Sequence, residues 1–189
     1  VKTTTILAAS IAASIGGFMI LRKASASELP LVAEGQAPTT APTTAPTAPS
    51  APQLPVNSNL PRGLRNNNPL NIRFNSANKW DGQTGSDGAF CKFSSMYYGL
   101  RAAGRLMKTY RDKYKADTIG EIIARWAPQS ENDTAKYINF VVMKTGIASN
   151  KVLKKEDYPT LANAMIYLEN GQNPLPMAEI IKGIYAGIN

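Results

Sequence analysis

The 189-residue chain has no histidine and a single cysteine, Cys91, and carries a formal net charge of +8 with a pI near 9.6. Those counts exclude a Ser-His-Asp triad, a Cys-His pair, a His-ligated zinc, an internal disulfide and a thiolate metal cluster. Acid–base chemistry is left to carboxylates, hydroxyls and lysines, no metal or cofactor is expected, and the charge favours an anionic partner.

Residues Thr3 to Leu21 carry no charge. As a helix they would reach ~28 Å, about the thickness of a bilayer core. Lys2 precedes them and Arg22-Lys23 follow, so residues 1–24 read as a single-pass membrane anchor in contact with the lipid bilayer through residues 3–21. Ala24-Ser25-Ala26 also has the small-x-small form of a signal-peptidase site, which keeps a cleaved export signal as the alternative. Residues 25–59 form a linker, and its part from Gln36 to Asn59 repeats Ala-Pro-Thr units. Proline at that density blocks helix and central strand and favours an extended polyproline stalk. The folded unit is then 60–189, with 18 Lys+Arg and 11 Asp+Glu, so +7 of the charge rides on it.

Within that unit, Leu70–Phe74 and Ala89–Phe93 alternate apolar and polar residues around Trp80, Gly82, Gly85 and Gly88, which predicts a hairpin with a long loop. Leu100, Ala103, Met107, Tyr110 and Tyr114 recur at helical spacing and predict a helix over 96–114. Thr118-Ile-Gly-Glu121 is a capping box opening a short helix to Trp126, stopped by Pro128. A further helix is predicted from Thr134 to Lys144, ended by Gly146. Pro159 suits the first helical position of one running to Glu169 and closed by Asn170-Gly171. Pro176 opens the last helix, with Ile180, Ile181, Ile184 and Ile188 on one face. Five helices and a small β-hairpin make an α+β domain that is mostly helical.

Two glutamates stand out as acid–base candidates. Glu131 lies just before a helix, where the dipole and free N–H groups stabilise a carboxylate, so a purely structural role accounts for it well. Glu169 ends its helix, where the dipole disfavours negative charge, and continues the stripe of Leu161 and Met165. Desolvation and the dipole together should raise its pKa, as a general acid requires. The bland reading of Glu169 is a stripe-edge residue reaching into water.

The string A-M-I-Y-L-E-N-G-Q-N-P (Ala164 to Pro174) resembles the catalytic segment of lysozyme-like lytic transglycosylases, where a helix ends in E-S-G before x-N-P. Asn170 stands where that family usually has serine. R-N-N-N-P-L-N-I-R (Arg65 to Arg73), Trp80-Asp-Gly82 and the F-C-K-F strand resemble elements of glucosaminidases of the same superfamily. E-N-D-T-A-K-Y-I is similar to their tyrosine-bearing loop. With R-W-A-P-x-x-E-N-x-T, the set also resembles small phage virion-associated domains described as structural proteins or transglycosylases. In the glucosaminidases the catalytic glutamate precedes the asparagine-rich element, whereas here it follows, which suggests a circular permutation.

The resemblance implies a lysozyme-like domain that cleaves peptidoglycan. Glu169 would be the catalytic acid/base, with Glu131 as second choice. Asn68, Asn71 and Asn170 would bind N-acetyl groups and hydroxyls, Tyr137 would orient the sugar, and Trp80 or Trp126 would stack on rings. A lytic transglycosylase needs one carboxylate. A hydrolase needs a second, for which Asp81 and Asp87 are the candidates. The setting would be a phage virion membrane or a bacterial inner membrane and periplasm, with other virion membrane proteins as further partners. The rival readings are an inactive structural or wall-binding virion protein and a nucleic-acid-binding domain. Nucleic acid is disfavoured because the basic residues are scattered among helices.

Overall fold

The computed structural model describes residues 59–130 and 132–189. The expected anchor, the stalk and Glu131 lie outside the described residues. Among the described residues no helix is long and apolar enough to cross a membrane.

The described residues are mostly helical, with one small antiparallel sheet. A single turn, α1 (Arg62–Arg65), leads through an asparagine-rich loop to β1 (Gln83–Ser86) and β2 (Cys91–Phe93). Five helices follow: α2 (Met96–Tyr114), α3 (Ile119–Trp126), α4 (Thr134–Thr145), α5 (Asp157–Asn170) and α6 (Met177–Ile188). The α+β expectation holds, with α1 as a sixth helix that four residues were too few to announce.

The hairpin needs correction. β2 pairs with Gln83–Ser86, a stretch read from sequence as loop, in the register Gln83 to Phe93 and Ser86 to Cys91. Leu70–Phe74 forms no regular strand, because Asn71 has φ 51° and breaks the extended run. Its end still lies along the other edge of β2. Arg73 and Phe90 form an isolated bridge, Cys91 N–H donates to the Ile72 carbonyl at 3.0 Å and Phe74 N–H to that of Ala89 at 2.9 Å.

The helices follow their sequence signals closely. The spacing of Leu100, Ala103 and Met107 puts all three in the core. Thr118 accepts from Glu121 N–H while the Glu121 carboxylate accepts from Thr118 N–H, the reciprocal pair that starts α3. In α5, Pro159 is the third residue and not the first; it is tolerated because first-turn N–H groups have no intrahelical partner anyway. Helices α2 and α6 approach at backbone distance. A Cβ at Gly104 would strike the Ile184 carbonyl, and one at Gly187 the Arg101 carbonyl. Ile180, Ile184 and Ile188 of α6 are buried, whereas Ile181 is 39% exposed and leaves the predicted face.

Candidate functional site

The loop from Asn66 to Asn71 is built from asparagine side chains doing the work of backbone. Asn67 and Asn71 both adopt positive φ, 52° and 51°, a left-handed conformation that asparagine tolerates far better than branched residues. Asn66 donates to Asp87 Oδ2 at 2.6 Å, and Asn67 to the Phe93 carbonyl at 3.0 Å. Asn68 is fully buried: its Nδ2 donates to the carbonyls of Ile72 and Cys91, at 2.9 and 3.0 Å, and its Oδ1 accepts from Ile72 N–H at 2.9 Å. This amide replaces ladder bonds that a strand at 70–74 would have made. It also corrects the expectation for Asn68, which is an internal bracket with no surface to offer a sugar.

Asn71 alone of the four faces the end of α5. Its Nδ2 donates to Glu169 Oε2 at 2.9 Å across 98 residues of sequence, and Tyr137 Oη of α4 donates to Glu169 Oε1 at 3.0 Å. A half-buried carboxylate is thus held at both oxygens by groups from two other parts of the fold. Tyr137 is itself buried, 1% exposed, so its ring packs in the core while its hydroxyl reaches the carboxylate. Glu169 stands on the stripe foreseen for it, above buried Leu161 and Met165.

The next residue fixes the register of that contact. Asn170 is 8% exposed, and its Nδ2 donates to the Pro69 carbonyl at 2.7 Å and to that of Ile166 at 2.9 Å. It therefore clamps the last turn of α5 to the asparagine loop two residues before Asn71. Gly171, with φ 68°, then ends the helix. Asn170 was expected to touch substrate; its donor group is instead spent inside the fold.

Beneath both asparagines lies Gly63, unremarked in the sequence. A Cβ there would fall 2.6 Å from Asn170 Oδ1, 2.7 Å from Asn71 Oδ1 and 2.9 Å from the Asn68 carbonyl oxygen. Those separations are too short for any real side chain, so glycine is required. The only sequence signal was a glycine between charged residues, R-G-L-R, which by itself suggests nothing.

The remaining candidates sit elsewhere. Asp87 accepts from Arg62 Nε and an Arg62 terminal nitrogen at 2.6 and 2.7 Å, from Asn66, and from the N–H groups of Phe90 and Ala89. Burial would push its pKa up, but these hydrogen bonds outweigh it and hold the carboxyl well below the usual range. Asp81 is ion-paired with Arg101 of α2. Asp87 is therefore engaged in the structure, whereas Asp81 belongs to an exposed surface pair. Trp126 is buried at 5% exposure, edge-on to Tyr110, which removes it as a stacking platform. Trp80 is half-buried, with one side against the core and another lining a surface cavity of about 340 Å³. Among the described residues no cluster of three His, Cys, Asp or Glu side chains could hold a metal ion.

No protein-family model matches the chain. It is 49% identical over 130 residues to Protein P5 of Pseudoalteromonas phage PM2, covering 67% of this chain and 81% of that protein. The chain belongs to the family of that phage protein. The kinship supports a phage setting for the chain.

Proposed function

We propose that the chain cleaves peptidoglycan glycan strands by a lytic transglycosylase mechanism, with Glu169 as its one acid/base, in a domain of permuted lysozyme-like type. The observation that carries the reading is the carboxylate itself: one glutamate at a helix end, half-buried, held at both oxygens by Tyr137 and Asn71. Fixing both oxygens removes rotamer freedom, so the acid/base group is oriented before substrate arrives.

The chemistry needs no second carboxylate. Protonated Glu169 gives its proton to the glycosidic oxygen as the bond from that oxygen to C1 breaks. The resulting carboxylate then takes the proton of the same sugar's 6-hydroxyl, whose oxygen bonds to C1 and closes a 1,6-anhydro ring. Glu169 ends protonated, as it began. The structural engagement of Asp87 favours this route over hydrolysis. Residues 3–21 would sit in a virion membrane and the Pro/Thr stretch would hold the basic domain out toward an anionic wall.

The competing reading, an inactive structural or wall-binding virion protein, draws on the same contact. A carboxylate satisfied at two oxygens also serves as a tie between α4, α5 and the loop. Purified peptidoglycan incubated with the full chain separates the two. Wild type should release fragments with anhydro ends detectable by mass spectrometry, and Glu169→Gln should release none. Absence of anhydro products from folded wild type, or undiminished release by the variant, overturns the enzyme reading.

A further inference from the structure

We infer that the cavity beside Trp80 is a subsite for one pyranose ring of the glycan strand, adjacent to Glu169. The inference rests on the glycan reading above. The cavity's volume of about 340 Å³ lies at the lower end of small-ligand sites, enough for a single ring and its substituents. Its lining combines two aromatic walls, Phe74 and Trp80, with the amides of Asn78 and Gln83, the hydroxyl of Thr84 and the ammonium of Lys79. Apolar ring faces for C–H surfaces beside convergent amide and hydroxyl groups are what a pyranose requires, since it presents hydroxyls at its edge and C–H groups on its faces. Phe74 is 40% exposed, a large apolar side chain left open at the cavity wall. Lys79 adds a cation suited to the carboxylates of an anionic wall polymer.

The chain itself ties this cavity to the carboxylate. Asn71, the donor to Glu169, and Phe74, the cavity wall, are three residues apart, so their Cα atoms lie within ~11 Å. The hydrogen bond from Phe74 N–H to the Ala89 carbonyl and the Arg73–Phe90 bridge hold that short segment against β2, so the two positions keep their spacing. A single sugar at Glu169 would not reach far into the cavity. The next unit or two of a strand would.

The test uses the full chain and the tetramer of N-acetylglucosamine, followed by tryptophan fluorescence. The chain has two tryptophans, and Trp126 is buried at 5% exposure, so Trp80 is the reporter. Wild type and Glu169→Gln should give the same saturable change, and Phe74→Ala should weaken binding about tenfold. Phe74 is exposed, so its replacement leaves the core intact. Equal binding by Phe74→Ala, or no saturable change in wild type and Glu169→Gln, overturns the subsite. Saturable binding that needs Phe74, without anhydro products, keeps the subsite and overturns the acid/base reading. Product release with unchanged KM in Phe74→Ala overturns the subsite alone.

Discussion

Replacing Gly63 by alanine tests the link between fold and candidate site most directly. In an exposed helical turn the change would ordinarily stabilise by ~0.5–1 kcal/mol, through backbone entropy. Here the added methyl would sit 2.6 Å from Asn170 Oδ1 and 2.7 Å from Asn71 Oδ1, against a usual carbon–oxygen contact of ~3.3 Å. The shortfall is roughly 0.6–0.7 Å on two sides at once. Asn170 cannot swing away without losing its bonds to Pro69 and Ile166, and the Asn68 carbonyl at 2.9 Å is backbone. Overpacking of this kind costs about 1–3 kcal/mol, which outweighs the entropic gain and leaves a net loss of about 1–2 kcal/mol. For a unit of this size that lowers Tm by about 4–8 °C.

The same displacement reaches Glu169, because the Asn71 amide that must move is the one donating to it. A misplacement near 1 Å can cost ~100-fold in rate, so a shift of about half that should cost tenfold or more in anhydro-product release. Thermal unfolding and product release, measured on wild type and Gly63→Ala, decide the matter. A variant at least as stable as wild type refutes the packing argument. A destabilised variant with unchanged turnover below its Tm refutes the positioning argument.

Tyr137→Phe removes one donor to Glu169 while keeping the buried ring; stability should fall by only ~0.5–1.5 kcal/mol in denaturant unfolding, and product release by tenfold or more. Asp87 has its folded pKa depressed, so the stability it contributes is complete above the ordinary carboxylate pKa of ~3.9 and drains away as pH falls below that toward the lowered folded value. Acid unfolding should therefore steepen below about pH 4 in wild type and flatten in Asp87→Asn, which should also be less stable at neutral pH; identical acid profiles would refute the assignment. Cys91 is buried, and burial pushes its thiol pKa up to about 11, so the native chain should resist a thiol reagent at pH 8 and react at once when unfolded.

Helices were legible wherever their signals were local. The Thr118–Glu121 capping box, the Leu100–Met107 spacing and Gly146 each act over one or two turns: α3 starts at the box, α4 stops at Gly146, and the spaced residues lie inside α2. The hairpin was misread because alternation in Leu70–Phe74 marks burial on one side of β2 but does not say that a backbone ladder forms there. Asn71, at positive φ, ended the strand, and no apolar pattern carries that information. The site shows the same division. Glu169 was noticeable because it breaks a helix-end rule, and Tyr137 and Asn71 through a resemblance. Asn68 and Asn170 share the composition of a sugar-binding asparagine, yet their amides close bonds inside the fold. Composition does not distinguish an inward amide from an outward one.

The orphaned oxygens explain why glycine, asparagine and glutamate occur together. Asn71 Oδ1 and Asn170 Oδ1 are buried without a hydrogen-bond partner in the protein, a cost of order 1–3 kcal/mol each where nothing compensates. Neither amide can turn over to relieve it. Turned, Asn71 would aim an oxygen at the Glu169 carboxylate, and Asn170 would aim one at the carbonyls of Pro69 and Ile166. Both oxygens are therefore forced toward Gly63, and only a residue without a Cβ leaves room for them. The arrangement keeps an unfavourable pair of acceptors so that the Asn71 Nδ2 can reach Glu169 at the end of α5 while the Asn170 Nδ2 ties that end to the Pro69 carbonyl of the loop.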